Sequence, residues 1–427
     1  MTPVARRIAL SLIALTMATT APAETLEEAW QLALSGSFKM LAAEEQQLAA
    51  QQQISSAKAA RLPTFTVAAD YVKLDNPPTV QGQFGGAPFE FAYWQTESLF
   101  YSALSSVPLY SGGRITAGIK SAEATQAAAI AAKANTASVV KIAVAQAYIG
   151  VLRAEDAIRL SDSHLQSVTA HQTDASNLYR QGMVARNDVL MADVTLANAR
   201  QQALQAKYQS DIARSAYNQL LNRPLDTPFK LDPIAVPQLI ETVDQLTTLA
   251  LVNRADLEVL EHRTAALDYD AKTATAITRP QINLNTSYLF LENEFQKHEN
   301  VWTTNVSLLW PIFDGGVSRH RSGALHRQAA AMKAQHDELN SLIALQVRQA
   351  WLDVTQTRER IKIAGGAVAQ AEENLVASRN RYQAGLISNT ALLDAETLRM
   401  QAHNNHDNAI YDATLALLQL KQVVGIL

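Results

Sequence analysis

The chain has 427 residues, with 36 Lys+Arg against 40 Asp+Glu for a formal net charge of −4, and 48% of its residues are hydrophobic. That mild acidity, with no basic block, argues against nucleic acid as a partner. The absence of cysteine excludes disulfides, thiolate metal sites, a thiol nucleophile and a lipid-modified cysteine, so any membrane attachment must come from the fold.

At the N-terminus, Arg6 and Arg7 precede an apolar run from Ile8 to Met17 and the small-x-small sequence Ala21-Pro22-Ala23. This order predicts a secretory signal over residues 1–23 and a mature chain starting at Glu24, the plain alternative being a short amphipathic helix. Beyond residue 23 no run of 18 apolar residues follows, so no spanning helix is expected. An exported chain of that kind is periplasmic, secreted or a β-barrel.

An internal repeat sets the organisation. Arg61-Leu62-Pro63 recurs as Thr278-Arg279-Pro280, the prolines 217 positions apart, and Pro108-Leu109-Tyr110-Ser111-Gly112-Gly113 recurs as Pro311-Ile312-Phe313-Asp314-Gly315-Gly316 at a separation of 203. The separation of 203 also relates Gln146-Ala147-Tyr148 to Gln349-Ala350-Trp351, and Tyr179, Gly182, Val184, Leu190 and Asp193 to Tyr382, Gly385, Ile387, Leu393 and Glu396. The change of separation leaves the first half 14 residues longer between Pro63 and Pro108. This surplus, with Asn76-Pro77-Pro78 and Gly85-Gly86, is expected to enlarge a loop between two strands. The organisation is a first repeat over 24–223, a Pro-rich linker over 224–240 and a second repeat over 241–427.

In each half a strand pair precedes the long helices. Ile282, Leu284 and Tyr288 alternate with Gln281, Asn283, Asn285 and Ser287; Trp302, Thr304, Val306, Leu308, Trp310 and Ile312 alternate with Thr303, Asn305 and Ser307; Phe65, Val67, Ala69 and Tyr71 alternate with Thr64, Thr66, Ala68 and Asp70. Strands are predicted at about 63–73, 97–109, 280–291 and 301–312, near the 9–11 residues that a tilted membrane strand needs. Tyr71, Tyr110, Tyr288, Trp302, Trp310 and Phe313 lie near their ends, as an interfacial girdle would require. A small water-soluble sheet packed on helices produces the same alternation. Four strands leave two open edges, which lipid does not tolerate, so a membrane reading requires several chains to pool them.

Each strand pair is followed, after Gly112-Gly113 and Gly315-Gly316, by a proline-free stretch rich in Ala, Gln, Leu and charged residues, the good helix formers. Long helices packed as coiled coils are expected there, with Gly150 and Gly365-Gly366 as points where they bend or break. Gly182 and Gly385 mark helix ends, with Asn187 or Asp188 and Ser388 or Asn389 as caps for the next helix. Each half therefore forms a long helical hairpin, with tips at about 181–188 and 384–390. The fold class is mainly α with a β-barrel portion, in duplicated helix–strand–strand–helix halves.

Chemistry-bearing motifs are few. Gly113 to Ser121 approximates a phosphate loop, but Ile119 stands where the lysine belongs. His403 and His406, with Asp407, can share a helix face; a solvated face explains them as well as a metal site does. No cofactor, metal or catalytic residue is assigned, and an enzyme is not expected. A secreted coiled-coil structural or adhesion protein is the rival reading, and a periplasmic adaptor a second one. The alternating strands argue against the first, and the presence of two hairpins with two strand pairs argues against the second.

These features together (the duplicated plan, the Gly-Gly turns, the Gln-Ala-Tyr and Gln-Ala-Trp positions and the two Tyr-x-x-Gly tips) resemble TolC-type outer-membrane efflux proteins over essentially the whole mature length. Asn253-Arg254-Ala255-Asp256-Leu257 is similar to that family's Asn-Arg-Pro-Asp-Leu, Ala255 departing from proline. The resemblance implies a homotrimer with a twelve-stranded barrel among outer-membrane lipid and a helical tunnel in the periplasm. It also implies partners: a periplasmic adaptor docked on the tips (Gly182, Met183, Val184, Gly385, Leu386, Ile387) and an inner-membrane pump. Asp394 matches a pore-facing acid near the constriction, while Ala391 replaces a second acid. Asp188 and Tyr382 match gate residues whose usual basic partner is Ile387 here, leaving Arg186 as a candidate. Asp188 reads equally as a helix cap, and Asp394 as part of a solvated face.

Overall fold

A computed structural model describes residues 23–234 and 241–427. The signal segment, apart from Ala23, and positions 235–240 of the linker lie outside the described residues. Helices α1 (Leu26–Gly36) and α2 (Phe38–Ala59) lead into β1 (Thr64–Lys73), β2 (Thr79–Phe84), β3 (Ala87–Ala92) and β4 (Glu97–Tyr110), followed by α3 (Arg114–Arg180) and α4 (Arg186–Leu220). The second half runs α5 (Val243–Asn253), α6 (Ala255–Thr275), β5 (Gln281–Leu291), β6 (Asn300–Leu309), α7 (Val317–Gln383) and α8 (Asn389–Val424). The duplication reaches the first helices. Thr25 and Glu28 form a capping box on α1, and Thr242 and Gln245 form the same box on α5, also 217 positions away.

Two compact units result, each drawing on both halves. The first comprises the described parts of Met1–Ala42, Asn135–Arg254 and Leu342–Leu427; the second comprises Ala43–Ala134 and Ala255–Ser341. In the first unit, Ala29, Ala33, Val144, Tyr148, Val151 and Tyr217 form a buried core. Its polar atoms are tied down: the Tyr148 hydroxyl lies 2.7 Å from the Glu24 carbonyl and 2.8 Å from that of Asp232, and Tyr217 donates to the Glu24 carboxylate at 2.6 Å. The described linker residues belong to this unit, with Leu231 in the core and Asn218 donating to the carbonyls of Leu225 and Thr227.

In the second unit, four strands form an antiparallel sheet in the order β1-β4-β5-β6, which leaves β1 and β6 as unpaired edges. Register places Phe65, Val67 and Tyr71 opposite Ser105, Ala103 and Leu99, and Ile282, Leu284 and Tyr288 opposite Leu308, Val306 and Trp302. One face is thus apolar; on the other, Asn285 accepts from Ser106 at 2.8 Å and donates to Ser307 at 2.9 Å. The register shifts at Pro108, a residue that cannot donate to a ladder, before the strand ends.

Three expectations change. The first-half surplus is ordered as a second two-stranded sheet, β2–β3, closed by Gly85 and Gly86 at φ 61° and 87°. Two positive φ values suit the tight turn whose twist matches a hairpin, so the chain has six strands rather than four among the described residues. Both 67-residue helices run unbroken through Gly150 and Gly365-Gly366, for about 100 Å each at 1.5 Å per residue. One glycine costs about 1 kcal/mol in a helix, which many turns of packing outweigh. Finally, α3 contains one stretch apolar enough, by length and composition, to cross a membrane, with 44% of it buried within the fold.

Candidate functional site

The strand-to-helix turns are built by glycine. Gly112 and Gly113 have φ 63° and 89°, Gly315 and Gly316 φ 72° and 86°. At Gly112 a Cβ would sit 2.6 Å from the Arg279 Cβ and 3.0 Å from the Ala276 carbonyl oxygen, and Arg279 donates to the Gly112 carbonyl. The second turn is fastened differently, by Asp314 accepting from the backbone of Gly316 and Ser318 at 2.9 Å each. The near-phosphate-loop sequence is therefore a structural turn.

At the hairpin tips, Gly182 (φ 73°) and Gly385 (φ 71°) close their helices in the same way. Gly182 N–H donates to Tyr179 and Met183 N–H to Leu178; Gly385 and Leu386 repeat this with Tyr382 and Arg381, all at 2.9 Å. These are Schellman pairs, which satisfy the last carbonyls of a helix. Met183 and Leu386 then project as exposed apolar residues (62% and 73%), while Val184 and Ile387 are half-buried. The following caps differ. Ser388 accepts from Ala391 N–H at 3.3 Å, as expected, but at the first tip the N-cap is Ala185, and Asp188 reaches back to its N–H at 3.3 Å. Asn187 does not cap.

Among the residues matched to a gate, Arg186 and Asp394 are exposed and Asp188 is half-buried. Tyr382 is buried, packs edge-on against His171 with ring centres 5.2 Å apart, and its hydroxyl has no hydrogen-bond partner among the described residues. Burial raises its pKa, with the charges of Asp188 and Asp174 acting in the same direction. Asn389 joins the two tips, donating to the Asp188 carbonyl at 3.1 Å and meeting His171 Nε2 at 2.6 Å. Because the amide NH2 is spent on Asp188, the Asn389 oxygen faces His171, whose Nε2 therefore carries the proton. Burial holds His171 below the usual imidazole range despite that contact.

A buried polar cluster lies beside the second tip. Glu396 and Arg399, one helical turn apart on α8, are 4% and 9% exposed. The Glu396 carboxylate receives Arg399 at 2.9 Å and Ser167 at 2.9 Å, with His164 Nδ1 at 3.3 Å. Burial pushes this carboxyl up, but the hydrogen bonds from His164, Arg399 and Ser167 and the arginine charge outweigh it and hold the pKa at about 2. His403 points to Glu372 at 2.6 Å and His406 to Asp407 at 3.4 Å, so the two histidines have separate partners. Among the described residues no group of three or more His, Cys, Asp or Glu is placed to hold a metal. A cavity of about 200 Å³ lined by His171, Asp174, Arg379 and Tyr382 adjoins Glu396. Sequence reading found Glu396 only as the repeat partner of Asp193. The available signal was Glu-x-x-Arg on the otherwise apolar stripe Leu392, Ala395 and Ala402.

The chain thus combines a four-stranded sheet with open edges and an exposed apolar face with two helices of 67 residues, in duplicated halves. The model of the outer membrane efflux protein family matches residues 29–223 and 246–426, and the chain belongs to that family. It is 24% identical over 302 residues to the alkaline protease secretion protein AprF of Pseudomonas aeruginosa, a match covering 67% of this chain and 61% of that protein. It is 23% identical to the outer membrane protein TolC of Vibrio cholerae, covering 95% and 91% of the two chains. Its fold superposes on the outer membrane protein VceC of Vibrio cholerae with a TM-score of 0.78 at 18% identity, covering 94% of this chain and 96% of that one.

Proposed function

We propose that this chain is one subunit of a passive outer-membrane exit duct, with its β1-β4-β5-β6 sheet pooled among copies into a closed barrel. The observation that carries the reading is the sheet itself. Phe65, Val67, Trp302, Val306 and Leu308 are each at least 64% exposed on one face, and both edge strands lack partners. Water penalises such a face and lipid penalises such edges; closure in a bilayer relieves both. Three copies give twelve strands, and the helical hairpins extend into the periplasm as a tunnel.

The duct does no chemistry. A periplasmic adaptor docks on the exposed apolar tips around Met183 and Leu386 and shifts a closed–open equilibrium, while an inner-membrane pump supplies energy. Asp394 contributes a ring of carboxylates to the tunnel, and Asp188, Tyr382 and Arg186 help to hold the tips in the closed state. The alkaline protease secretion named for one relative supports export as the role.

Disulfide scanning tests the pooled sheet in a chain with no native cysteine. Paired cysteines in one chain, one on β1 and one on β6, should cross-link in register between neighbouring copies in membranes. Absence of any intermolecular product across the scan would sink the reading.

A further inference from the structure

The first five turns of α7 carry charge that the fold does not use. Residues 317–336 contain Arg319, Arg321, Arg327 and Lys333 with three histidines and no acid, in a chain of net charge −4. The buried positions of this segment are Ser318, Ser322 and Ala329, and all four cations are exposed around the rest of the helix. Acids close by in the fold are committed elsewhere: Asp314 caps the helix, Asp268 meets His326 at 3.3 Å and Asp337 meets His336 at 3.4 Å. None of the four cations has an ion-pair partner among the described residues. Cations in an opening turn also oppose the helix dipole, so Arg319 and Arg321 are not there for helix stability. Nor does the repeat plan require the charges. The first-half matches of Arg319, Arg321, Arg327 and Lys333 are Thr116, Gly118, Ala124 and Ile130.

This basic arm directly follows the most exposed apolar residues at the helix end of the sheet, Ile312 (80%) and Phe313 (84%), with Trp310 and Val317 beside them. At the opposite end of the strands the β5–β6 connection is acidic instead, with Glu292, Glu294 and Glu299. We propose that Arg319, Arg321 and Arg327 bind the phosphate headgroups of anionic glycerophospholipids, while the neighbouring apolar side chains contact their acyl chains. Guanidinium groups match phosphate in a bidentate fashion, and basic residues beside a membrane-embedded segment attract anionic lipid at about 1 kcal/mol each, or about fivefold. The inference rests on the membrane reading and adds a lipid preference confined to one end of the strands.

The test reconstitutes the full chain into vesicles of phosphatidylcholine alone or doped with phosphatidylglycerol, and counts lipids retained per chain on re-extraction. Wild type should enrich phosphatidylglycerol, and R319Q/R321Q/R327Q should lose about fivefold per arginine while entering phosphatidylcholine vesicles normally. The matching Arg→Lys variant should keep most of the enrichment, because charge is retained. Equal enrichment in wild type and the glutamine variant would overturn the inference alone. Displacement by millimolar inorganic phosphate would also overturn it, marking a site for a free anion. A glutamine variant that changes oligomeric mass but not lipid count would overturn it too, marking a subunit contact. Failure of wild type to enter either vesicle would instead overturn the membrane reading beneath it.

Discussion

The two helical hairpins share one plan and are fastened by different chemistry. On α4 the buried residues include Ala192, Leu196, Ala199 and Ala206; on α8, at the same separation of 203, they are Ala395, Arg399, Ala402 and Ala409. Small residues recur at three positions, so the backbone approach is retained. At the fourth, an apolar leucine is replaced by an arginine, and the exposed Asp193 by the buried Glu396. The first hairpin packs Val168, Leu196 and Ala199 as an apolar cluster; the second packs Leu375, Tyr382, Leu392 and Ala395 and also buries an ion pair tied to α3 through Ser167 and His164. Removing two charges from water costs several kcal/mol each before their attraction repays it. The second hairpin therefore adds contacts that are strong only when complete to an apolar cluster of its own, whereas the first relies on contacts that degrade gradually.

The largest expected effect tests that asymmetry. Arg399→Leu, which copies the first hairpin at one position, should destabilise the chain by about 3–5 kcal/mol by stranding Glu396. The double variant Glu396→Leu/Arg399→Leu should recover most of that loss, since an apolar pair of similar volume often equals a buried ion pair. Denaturant unfolding of both variants decides it, and a harmless Arg399→Leu would show that the pair does not hold the hairpin.

The next effect is a pH dependence whose largest single source lies in the second hairpin. Glu396 has a folded pKa of about 2 against an ordinary 4.5. A depressed folded pKa gives stability that is fully present above about pH 5 and is lost as pH falls towards 2, at most about 3 kcal/mol. Glu396→Gln should reduce the slope of the unfolding midpoint over that window. A slope unchanged by Glu396→Gln would assign the acid sensitivity to other carboxylates.

At the tips the hairpins should behave alike where their geometry is alike. Gly182→Ala and Gly385→Ala each force a side chain into the left-handed region and should each cost about 1 kcal/mol by thermal unfolding. Markedly unequal losses would mean that the two Schellman turns differ in a way their hydrogen bonds do not show. The caps should differ slightly: Ser388→Ala removes a side-chain acceptor at about 1 kcal/mol. Asp188→Ala should cost less, because Ala185 supplies no reciprocal bond and only one contact is lost.

Much of this architecture was legible because it is written in local signals that occur twice. Gly112-Gly113 and Gly315-Gly316 announce turns, the alternation around Leu284 and Val306 announces strands, and the Tyr-x-x-Gly pairs announce helix ends. The β2–β3 hairpin was missed because Pro77-Pro78 and Gly85-Gly86 read as loop punctuation, while the apolar pattern on either side of Gly85-Gly86 (Val80 and Phe84, then Phe89 and Phe91) is brief. Unbroken helices through Gly150 and Gly365-Gly366 depend on packing spread over many turns, which a single-residue penalty does not reveal. The Glu396 cluster was illegible for a different reason. Ser167 and Glu396 lie 229 positions apart and meet only once α3 and α8 are packed. Ala185 as the first cap likewise depends on backbone geometry, since alanine carries no capping signal of its own.

The central claim is that the exposed apolar face and open edges of the four-stranded sheet exist to be closed among copies in a bilayer. The most direct measurement is the molar mass of the protein extracted by detergent from gradient-separated outer membranes. A mass of three chains in that fraction is the predicted result, giving twelve pooled strands. A soluble monomer or dimer absent from the outer membrane would contradict it and would return the long helices to a coiled-coil structural role.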